Sequence, residues 1–323
     1  MANIATENTV SMKGERKRKP INKETSSKSL GKKIYSYRYF YLMFLPVFIA
    51  FLIYNYIPMV GVLISFFDWG IFGPNEFVGF DNFTTLFQSN MFWRSFRNTL
   101  VISLANLFLS IFFSVGLALL VDEIIGTRFK KLTQTIIYIP HFLSWVVAAS
   151  LFTMILSPQN GLINAVIKMF GGDPIYFLAN DKWWTYIFLF INRWKETGWG
   201  TIIFIAAMTG IDQEMYEAAI IDGASRLQRV LSITLPSIKN TILVVFILNL
   251  AKVLNVFESV WVLQNAMVLN VSDVIGTYVY RIGIENSDYG LSTAAGVFKS
   301  LISLVLITIT NKVSKKINGE GIL

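Results

Sequence analysis

The sequence predicts an all-α integral membrane protein, and three observations carry that prediction. Hydrophobic residues make up 54% of the 323 residues and charged residues only 15%, whereas a soluble domain has about 25% charged residues. The mean hydropathy is +0.54. Six stretches are long and apolar enough to cross a bilayer, which takes roughly 20 apolar residues per helix. This composition excludes a disordered chain, a coiled coil and most soluble enzymes.

Polar loops of moderate length separate the six predicted spans. The spans cover residues 40–66, 99–121, 132–156, 184–208, 241–263 and 293–309. We expect the first span to stay as a membrane anchor and not to be a cleaved signal peptide, because a long polar segment precedes it and its apolar run is too long. Residues 1–33 are rich in Lys, Ser and Asn, which predicts a disordered basic tail. Residues 34–317 form one predicted membrane domain, followed by a short tail at 318–323.

The distribution of Lys and Arg predicts the orientation of the chain. Nineteen of the 28 lie in the N-terminal tail, the loops after spans two and four, and the C-terminal tail, and five lie in the opposite loops. Because cytoplasmic segments carry the excess of Lys and Arg, both termini are predicted to be cytoplasmic. The same juxtamembrane charge explains the net charge of +8. It attracts anionic membrane lipids, so no nucleic-acid partner is predicted.

The chain lacks the residues that catalysis and metal binding usually need. It contains no Cys and one His, so neither a thiolate site nor a His-cluster metal site can form. No P-loop, HExxH or GxSxG motif occurs in it. The sequence therefore predicts that the chain is not an enzyme, has no catalytic residues and binds no metal or cofactor. The single His141 is interpreted as a packing or hydrogen-bonding group.

Spans four and five carry polar and charged side chains at similar depth. Charged groups at mid-membrane cost about 2.5–3.5 kcal/mol each, so they face a bundle interior or a wet cavity. In span five, one helix face is predicted to carry polar side chains within an arc of roughly 120°, those of Asn249, Lys252, Asn255 and Ser259. Such side chains suit a hydroxyl-rich solute. The candidate substrate-pathway residues are Asn192, Arg193, Lys195, Glu196, Asn249, Lys252, Asn255 and Glu258.

A structural role is the open alternative for these charges. Arg193 with Glu196, or Lys252 with Glu258, can equally be ion pairs that lock helices together. Two stripes of small or polar residues, in spans two and six, are interpreted as close helix packing. The stripes are Asn106, Ser110, Ser114 and Ala118, and Ser292, Gly296 and Ser300.

The longest predicted cytoplasmic loop, residues 210–240, contains two helix patterns. Asp212 suits the start of a helix. Gly223 suits its end, in a left-handed conformation. A second short helix is predicted over 225–234, stopping before Pro236 because the residue preceding a proline disfavours helical backbone.

This loop also carries a specific motif. The pattern E-A-A-x-x-x-G, then nine residues, then I-x-L-P, matches Glu217, Ala218, Ala219, Gly223, Ile233, Leu235 and Pro236. It resembles the coupling loop of binding-protein-dependent ABC importer permeases, and the resemblance covers most of residues 40–317. Segments 138–145, 193–200 and 273–281 resemble the carbohydrate-uptake type, in its polysaccharide or complex-oligosaccharide branch, which is related to maltose-type permeases.

The resemblance implies a fold, a location and a set of partners. The expected fold is the six-transmembrane-helix type I importer with cytoplasmic coupling helices, in the plasma (inner) membrane of a bacterium. The expected partners are a second homologous permease in a heterodimer, two ATPase subunits that bind ATP and Mg, an extracellular or periplasmic substrate-binding protein, and an oligosaccharide. The residues expected to contact an ATPase are Glu217, Ala218, Ala219, Asp222, Gly223 and Ala224.

Two other classes of function remain as alternatives at this stage. A stand-alone secondary sugar carrier or channel would use no ATPase, and a membrane scaffold or sensor would move no solute. The charge of the sugar is also open. Arg193, Lys195 and Lys252 suggest an acidic sugar, while Glu196 and Glu258 are able to neutralise them.

Overall fold

The computed structural model describes residues 35–318. The chain divides into two compact units, of which one ends at Pro58 and the other begins at Met59. This division falls inside the predicted membrane domain, 34–317. The predicted tails, 1–33 and 318–323, lie outside the described residues apart from Asn318.

The described part of the first unit is almost entirely helical. It contains α1, Arg38–Phe51, and a π-helical turn, Leu52–Tyr56. The side chains of both are exposed and mostly apolar, as expected of a helix surrounded by lipid. A 3₁₀ segment, Ile57–Phe66, continues the helical backbone. Together, Arg38–Phe66 is long and apolar enough to cross a membrane.

The second unit contains one short hairpin and otherwise helices. The antiparallel strands are β1, Phe67–Gly70, and β2, Gly73–Phe77. The helices before the predicted coupling loop are α2, Asp81–Gln88; α3, Asn90–Asp122; α4, Thr127–Tyr138; α5, Trp145–Leu156; α6, Leu162–Met169; and α7, Asp181–Met208.

The remaining helices form the loop and the C-terminal third of the chain. They are α8, Gln213–Ile221; α9, Arg226–Arg229; α10, Leu235–Ala251; α11, Glu258–Trp261; α12, Leu269–Ser272; α13, Ile275–Tyr280; and α14, Tyr289–Asn318. Short 3₁₀ segments lie at Ile139–Phe142, Phe177–Ala179 and Ala266–Val268, and π turns at Val230–Thr234 and Arg281–Glu285.

Among the described residues, four helices are long and apolar enough to span a membrane, or five if the bent pair Thr127–Phe142 and Trp145–Leu156 is one span. α7 is not among them because Arg193, Lys195 and Glu196 place three charges near its middle. Its 28 residues nevertheless extend about 42 Å, which exceeds a hydrocarbon layer of roughly 30 Å. The mostly helical membrane fold is confirmed, and the count of six spans stays a prediction.

Two predicted spans are not continuous helices. The prediction of an unbroken helix over 132–156 is wrong, because the chain bends by 99° between Phe142 and Trp145. Pro140 follows the end of α4, and the Ser144 hydroxyl caps α5 by accepting the Val147 N–H at 3.2 Å. The prediction of an unbroken helix over 241–263 is wrong too, since α10 ends at Ala251.

The helix predicted over 225–234 does not stop before Pro236. Helical backbone runs without a break from Arg226 to Ala251. A π turn at Val230–Thr234 widens the helix, and the Leu235 N–H bonds to the Val230 carbonyl five residues back. Pro236 lies just after this π turn, and the wider backbone there accommodates the proline within a continuous helix.

The core of the second unit forms where α3 packs along α7. Trp184, Phe188 and Ile191 of α7 are fully buried in one cluster with Ile102 of α3. Small residues allow close approach in this region, since a Cβ on Gly200 would overlap the Ser114 hydroxyl. These contacts hold α3 and α7 side by side.

A buried carboxylate ties the segment after α12 to α3. Asp273 is fully buried. It accepts hydrogen bonds from Ser95 at 2.7 Å, from Thr277 at 2.8 Å and from both terminal nitrogens of Arg281, at 3.0 and 2.5 Å. The hydrogen bond to Asp273 raises the pKa of Arg281 above its usual value. Because every carboxylate lone pair is used, this network fixes α13 against α3.

Candidate functional site

A polar cavity of about 350 Å³ lies between α3, α7 and the segment that follows α10. Six of the eight candidate substrate-pathway residues line it. They are Asn192, Arg193, Asn249, Lys252, Asn255 and Glu258. Two of these side chains are cations and one is a carboxylate, so the lining carries a net positive charge.

The break after α10 positions the residues of the second half of the cavity. The last helical turn ends at Ala251, and the Lys252 carbonyl accepts the Asn255 N–H at 2.9 Å in a tight turn. Asn249, Lys252 and Asn255 therefore do not form the 120° arc of one helix that the sequence suggested. They reach the same cavity because the chain unwinds there. Unwound backbone at membrane depth is tolerated where it lines a water-filled cavity.

Arg193 is the residue best placed to bind an anion in this cavity. It lies twelve residues into α7, about 18 Å from its start. One terminal nitrogen donates to Asn106 at 3.2 Å and to Asn192 at 2.7 Å. Its Nε and other terminal nitrogen are buried and have no hydrogen-bond partner among the described residues. A buried guanidinium whose N–H groups lack partners can donate hydrogen bonds to a carboxylate.

Lys195 and Glu196 do not line the cavity and form a separate cluster. Lys195 is buried; its ammonium donates to the His141 carbonyl at 2.9 Å and pairs with Glu196 at 3.1 Å. Glu196 also contacts the His141 ring at 2.9 Å, and that ring stacks on Trp199 at 4.6 Å. These contacts hold α7 against the bend after α4. His141 is confirmed as a hydrogen-bonding group.

Neither of the two ion pairs suggested by the sequence is present among the ion pairs of the described residues. Glu196 pairs with Lys195 rather than hydrogen-bonding to Arg193. Within residues 35–318, no ion pair joins Lys252 to Glu258. Lys252 and Glu258 thus line the cavity without pairing with each other.

Sequence reasoning assigned part of the cavity to helix packing. Asn106 and Ser110 of the span-two stripe line the cavity, whereas Ser114 and Ala118 are buried between helices as predicted. The signal was present, because Asn106 and Ser110 are polar and lie one helical turn apart. Trp145, the last residue of the segment 138–145, also lines the cavity.

The predicted coupling loop has well-formed helix ends. The Asp212 carboxylate accepts the Glu214 N–H at 3.0 Å and caps α8, as predicted. After α8, Gly223 has a φ of +77°, and the Ala224 N–H returns to the Ala219 carbonyl at 2.9 Å. This is a Schellman ending, which favours glycine at the left-handed position.

The second short helix of the loop begins at once. The Ser225 hydroxyl accepts the Gln228 N–H, and the Gln228 side chain accepts the Ser225 N–H, in a capping box. Both helices are therefore fixed by local bonds, with only one residue between Gly223 and Ser225.

The outer face of this loop is accessible. Of the six predicted contact residues, Glu217, Ala218, Asp222 and Gly223 are exposed, and Ala219 and Ala224 are partly buried. Large apolar side chains surround them. The exposed ones are Met215, Ile220, Ile221, Leu227 and Leu231, with Ile221 at 86%. A contiguous exposed apolar surface of this kind is typical of a protein contact site.

Spanning helices around a polar cavity, together with a rigid exposed loop, define a transport permease of the membrane. The chain belongs to the family described as binding-protein-dependent transport system inner membrane component, which residues 110–319 match. It is a permease component of an ABC importer, as the motif at Glu217–Gly223 predicted.

Two relatives are similar over nearly the whole chain. The polygalacturonan/rhamnogalacturonan transport system permease protein YteP of Bacillus subtilis is 43% identical over 309 residues, covering 94% of this chain and 95% of that protein. Protein LplB of the same organism is 41% identical over 88% of this chain and 91% of LplB.

Solved structures agree with the fold. A chain from the crystal structure of a bacterial ABC transporter that imports the acidic polysaccharide alginate is 38% identical, with a TM-score of 0.84. The match covers 89% of this chain and 99% of that one. The same transporter type in complex with a periplasmic protein bound to an alginate pentasaccharide matches equally, with coverage of 91% and 99%.

Proposed function

We propose that this permease moves an acidic oligosaccharide through the polar cavity between α3, α7 and α10. The observation that supports this most directly is that Nε and one terminal nitrogen of Arg193 are buried without a hydrogen-bond partner among the described residues. Lys252 adds a second cation and Glu258 a single opposing charge. Asn106, Asn192, Asn249 and Asn255 supply the hydrogen bonds that sugar hydroxyls need. YteP and the alginate importer, whose names refer to uronate-containing polysaccharides, support the same substrate class.

Energy for the transport comes from partner subunits. The exposed face of α8 and its Gly223 turn would dock on an ATPase subunit that binds ATP and Mg, with Glu217 as a polar anchor and Ala218 and Ala219 allowing close approach. Closure of two such subunits would rock the spans between inward- and outward-facing states. A second permease and an extracellular or periplasmic binding protein complete the assembly. Both termini would lie in the cytoplasm of the bacterium.

The test compares the assembled transporter with the purified chain in proteoliposomes. The galacturonate trimer is a suitable probe, because a relative's name identifies polygalacturonan. We expect ATP-dependent uptake by the full assembly only. ATP-independent uptake by this chain alone would contradict the proposal and indicate a stand-alone carrier or channel.

Two variants on α7 separate the cavity from the structural cluster. Arg193→Gln should reduce trimer uptake about 10- to 100-fold while the assembly still forms, because charged hydrogen bonds contribute about 1.5–3 kcal/mol. Lys195→Gln should instead lower the yield of intact assembly, since it leaves Glu196 partly unpaired. Normal uptake by Arg193→Gln would remove the cavity from the proposed pathway.

A further inference from the structure

A second, larger cavity adjoins the polar one. Its volume is about 810 Å³, and it lies between the unwound segment after α10, α13, the π turn that follows, and α14. Asn255 and Phe257 line both cavities, so the two cavities are neighbours that share part of their wall. The volume lies within the range of ligand sites in proteins, about 300–1,000 Å³.

Lys299 is a cation without a protein partner in this cavity. It lies ten residues after the start of α14, about 15 Å along the axis. Its side chain lines the cavity. In the described part of the chain, its ammonium makes no hydrogen bond or ion pair. A lone charge at such depth is costly unless it faces water or an anion.

Two aromatic rings, those of Phe257 and Tyr280, line the same cavity as Lys299. Phe257, Trp261 and Tyr280 form one cluster, with ring centroids 4.4 Å apart for Trp261 and Tyr280 and 5.6 Å apart for Phe257 and Tyr280. Flat aromatic faces offer large apolar contact area at low entropic cost, and the C–H face of a pyranose ring is complementary to them.

The floor of the cavity is made by small residues of α14. Gly296 and Ser300 line it, although their spacing suggested helix packing. A Cβ on Gly296 would meet no atom within 4 Å. An apolar helix filling this space would bury the Lys299 ammonium without an anion, and a hydrated sugar would not. Within this stripe only Ser292 packs as expected, against Gly283.

We infer that Lys299, Phe257 and Tyr280 form a second sugar position, which binds the carboxylate of one uronate and the face of its ring while the Arg193 cavity holds another residue of the same chain. This inference rests on the proposed function. It names the substrate feature that the second position reads, a carboxylate on a pyranose.

The experiment measures uptake by the full assembly in proteoliposomes at saturating, sugar-loaded binding protein. The probes are the galacturonate trimer and its methyl ester, which has the same length and no charge. The variants are Lys299→Gln, Lys299→Arg and, as a matched control on an exposed part of α14, Lys312→Gln.

Lys299→Gln should slow trimer uptake at least about tenfold and leave any uptake of the ester within twofold. Lys299→Arg should restore the trimer rate, and Lys312→Gln should match the native assembly. Equal rates for Lys299→Gln and the native assembly would overturn the second position alone. Loss of co-purification with the second permease would also overturn it, since Lys299 would then pair across the subunit interface. Failure of the native assembly to import the trimer would overturn the proposed function itself.

Discussion

Gly223 and Gly171 have the same backbone conformation, with φ at +77° in both. Each follows the last turn of a helix, and each is succeeded by a residue whose N–H returns to a carbonyl of that turn, Ala224 to Ala219 and Gly172 to Ile167. Only Gly223 lies in the predicted coupling loop. The pair therefore offers a perturbation with a built-in control.

Alanine at either position should cost the same. An L residue in the left-handed region places its Cβ too close to the following carbonyl oxygen, which costs about 1–2 kcal/mol. A Cβ at Gly223 or Gly171 would meet no atom within 4 Å. The penalty is thus one of backbone conformation in both variants, without any contribution from packing.

The consequences for transport should differ. If the Gly223 turn must be formed for α8 to dock, a penalty of 1–2 kcal/mol lowers the docking-competent fraction up to about 5- to 30-fold. We expect Gly223→Ala to reduce ATP hydrolysis stimulated by the loaded binding protein by a factor in that range. Gly171→Ala should keep the native rate, with the same loss of thermal stability.

Equal activity of the two variants would refute this reasoning. If both lose stimulation, global stability rather than docking controls the rate. If neither does, the turn at Gly223 transmits no force. A thermal unfolding curve for each purified variant is needed beside the ATPase assay, because it shows that the two penalties are in fact matched.

Three further predictions follow from contacts described above. Asp273→Asn should leave the partly buried Arg281 without its ion-pair partner and destabilise the chain by about 3 kcal/mol. An unchanged thermal midpoint in detergent would contradict the network. Gly198→Ala should cost about 3 kcal/mol, since its Cβ would overlap a backbone carbonyl, whereas Gly116→Ala on α3 meets no atom and should be neutral by the same measurement. Ala218→Trp adds bulk to an exposed site and should leave folding intact while abolishing co-purification of the ATPase; normal co-purification would place docking elsewhere.

The sequence predicted those parts of the fold that depend on local chemistry. The apolar runs located the long helices, and Asp212 and Gly223 fixed the two ends of α8 because caps act within one turn. The sequence-based prediction was wrong where a helix continues past a proline or ends early. Pro236 was expected to end a helix, and a neighbouring π turn accommodates it. Lys252 was expected inside a helix that in fact ends one residue earlier.

The sequence predicted which types of residue line the cavity. It did not predict which of the charged residues line it and which pack elsewhere. Burial cost indicated that the charges of spans four and five share a protected place. It could not show that Lys195 and Glu196 contact His141 while Arg193 contacts Asn106, because these partners lie on other helices and depend on tertiary packing. The Asp273 network was missed for a similar reason, since Ser95 and Asp273 are 178 positions apart.

The polar cavity lined by Arg193 and Lys252 also affects how well the membrane blocks the passage of ions. Water halfway through a bilayer shortens the distance that a proton or potassium ion must cross, and an idle importer would drain the membrane potential. Fixed positive charges repel both ions and raise that barrier, as an arginine does in water channels. The residues proposed to attract a uronate would therefore also hinder a cation leak when no substrate is bound.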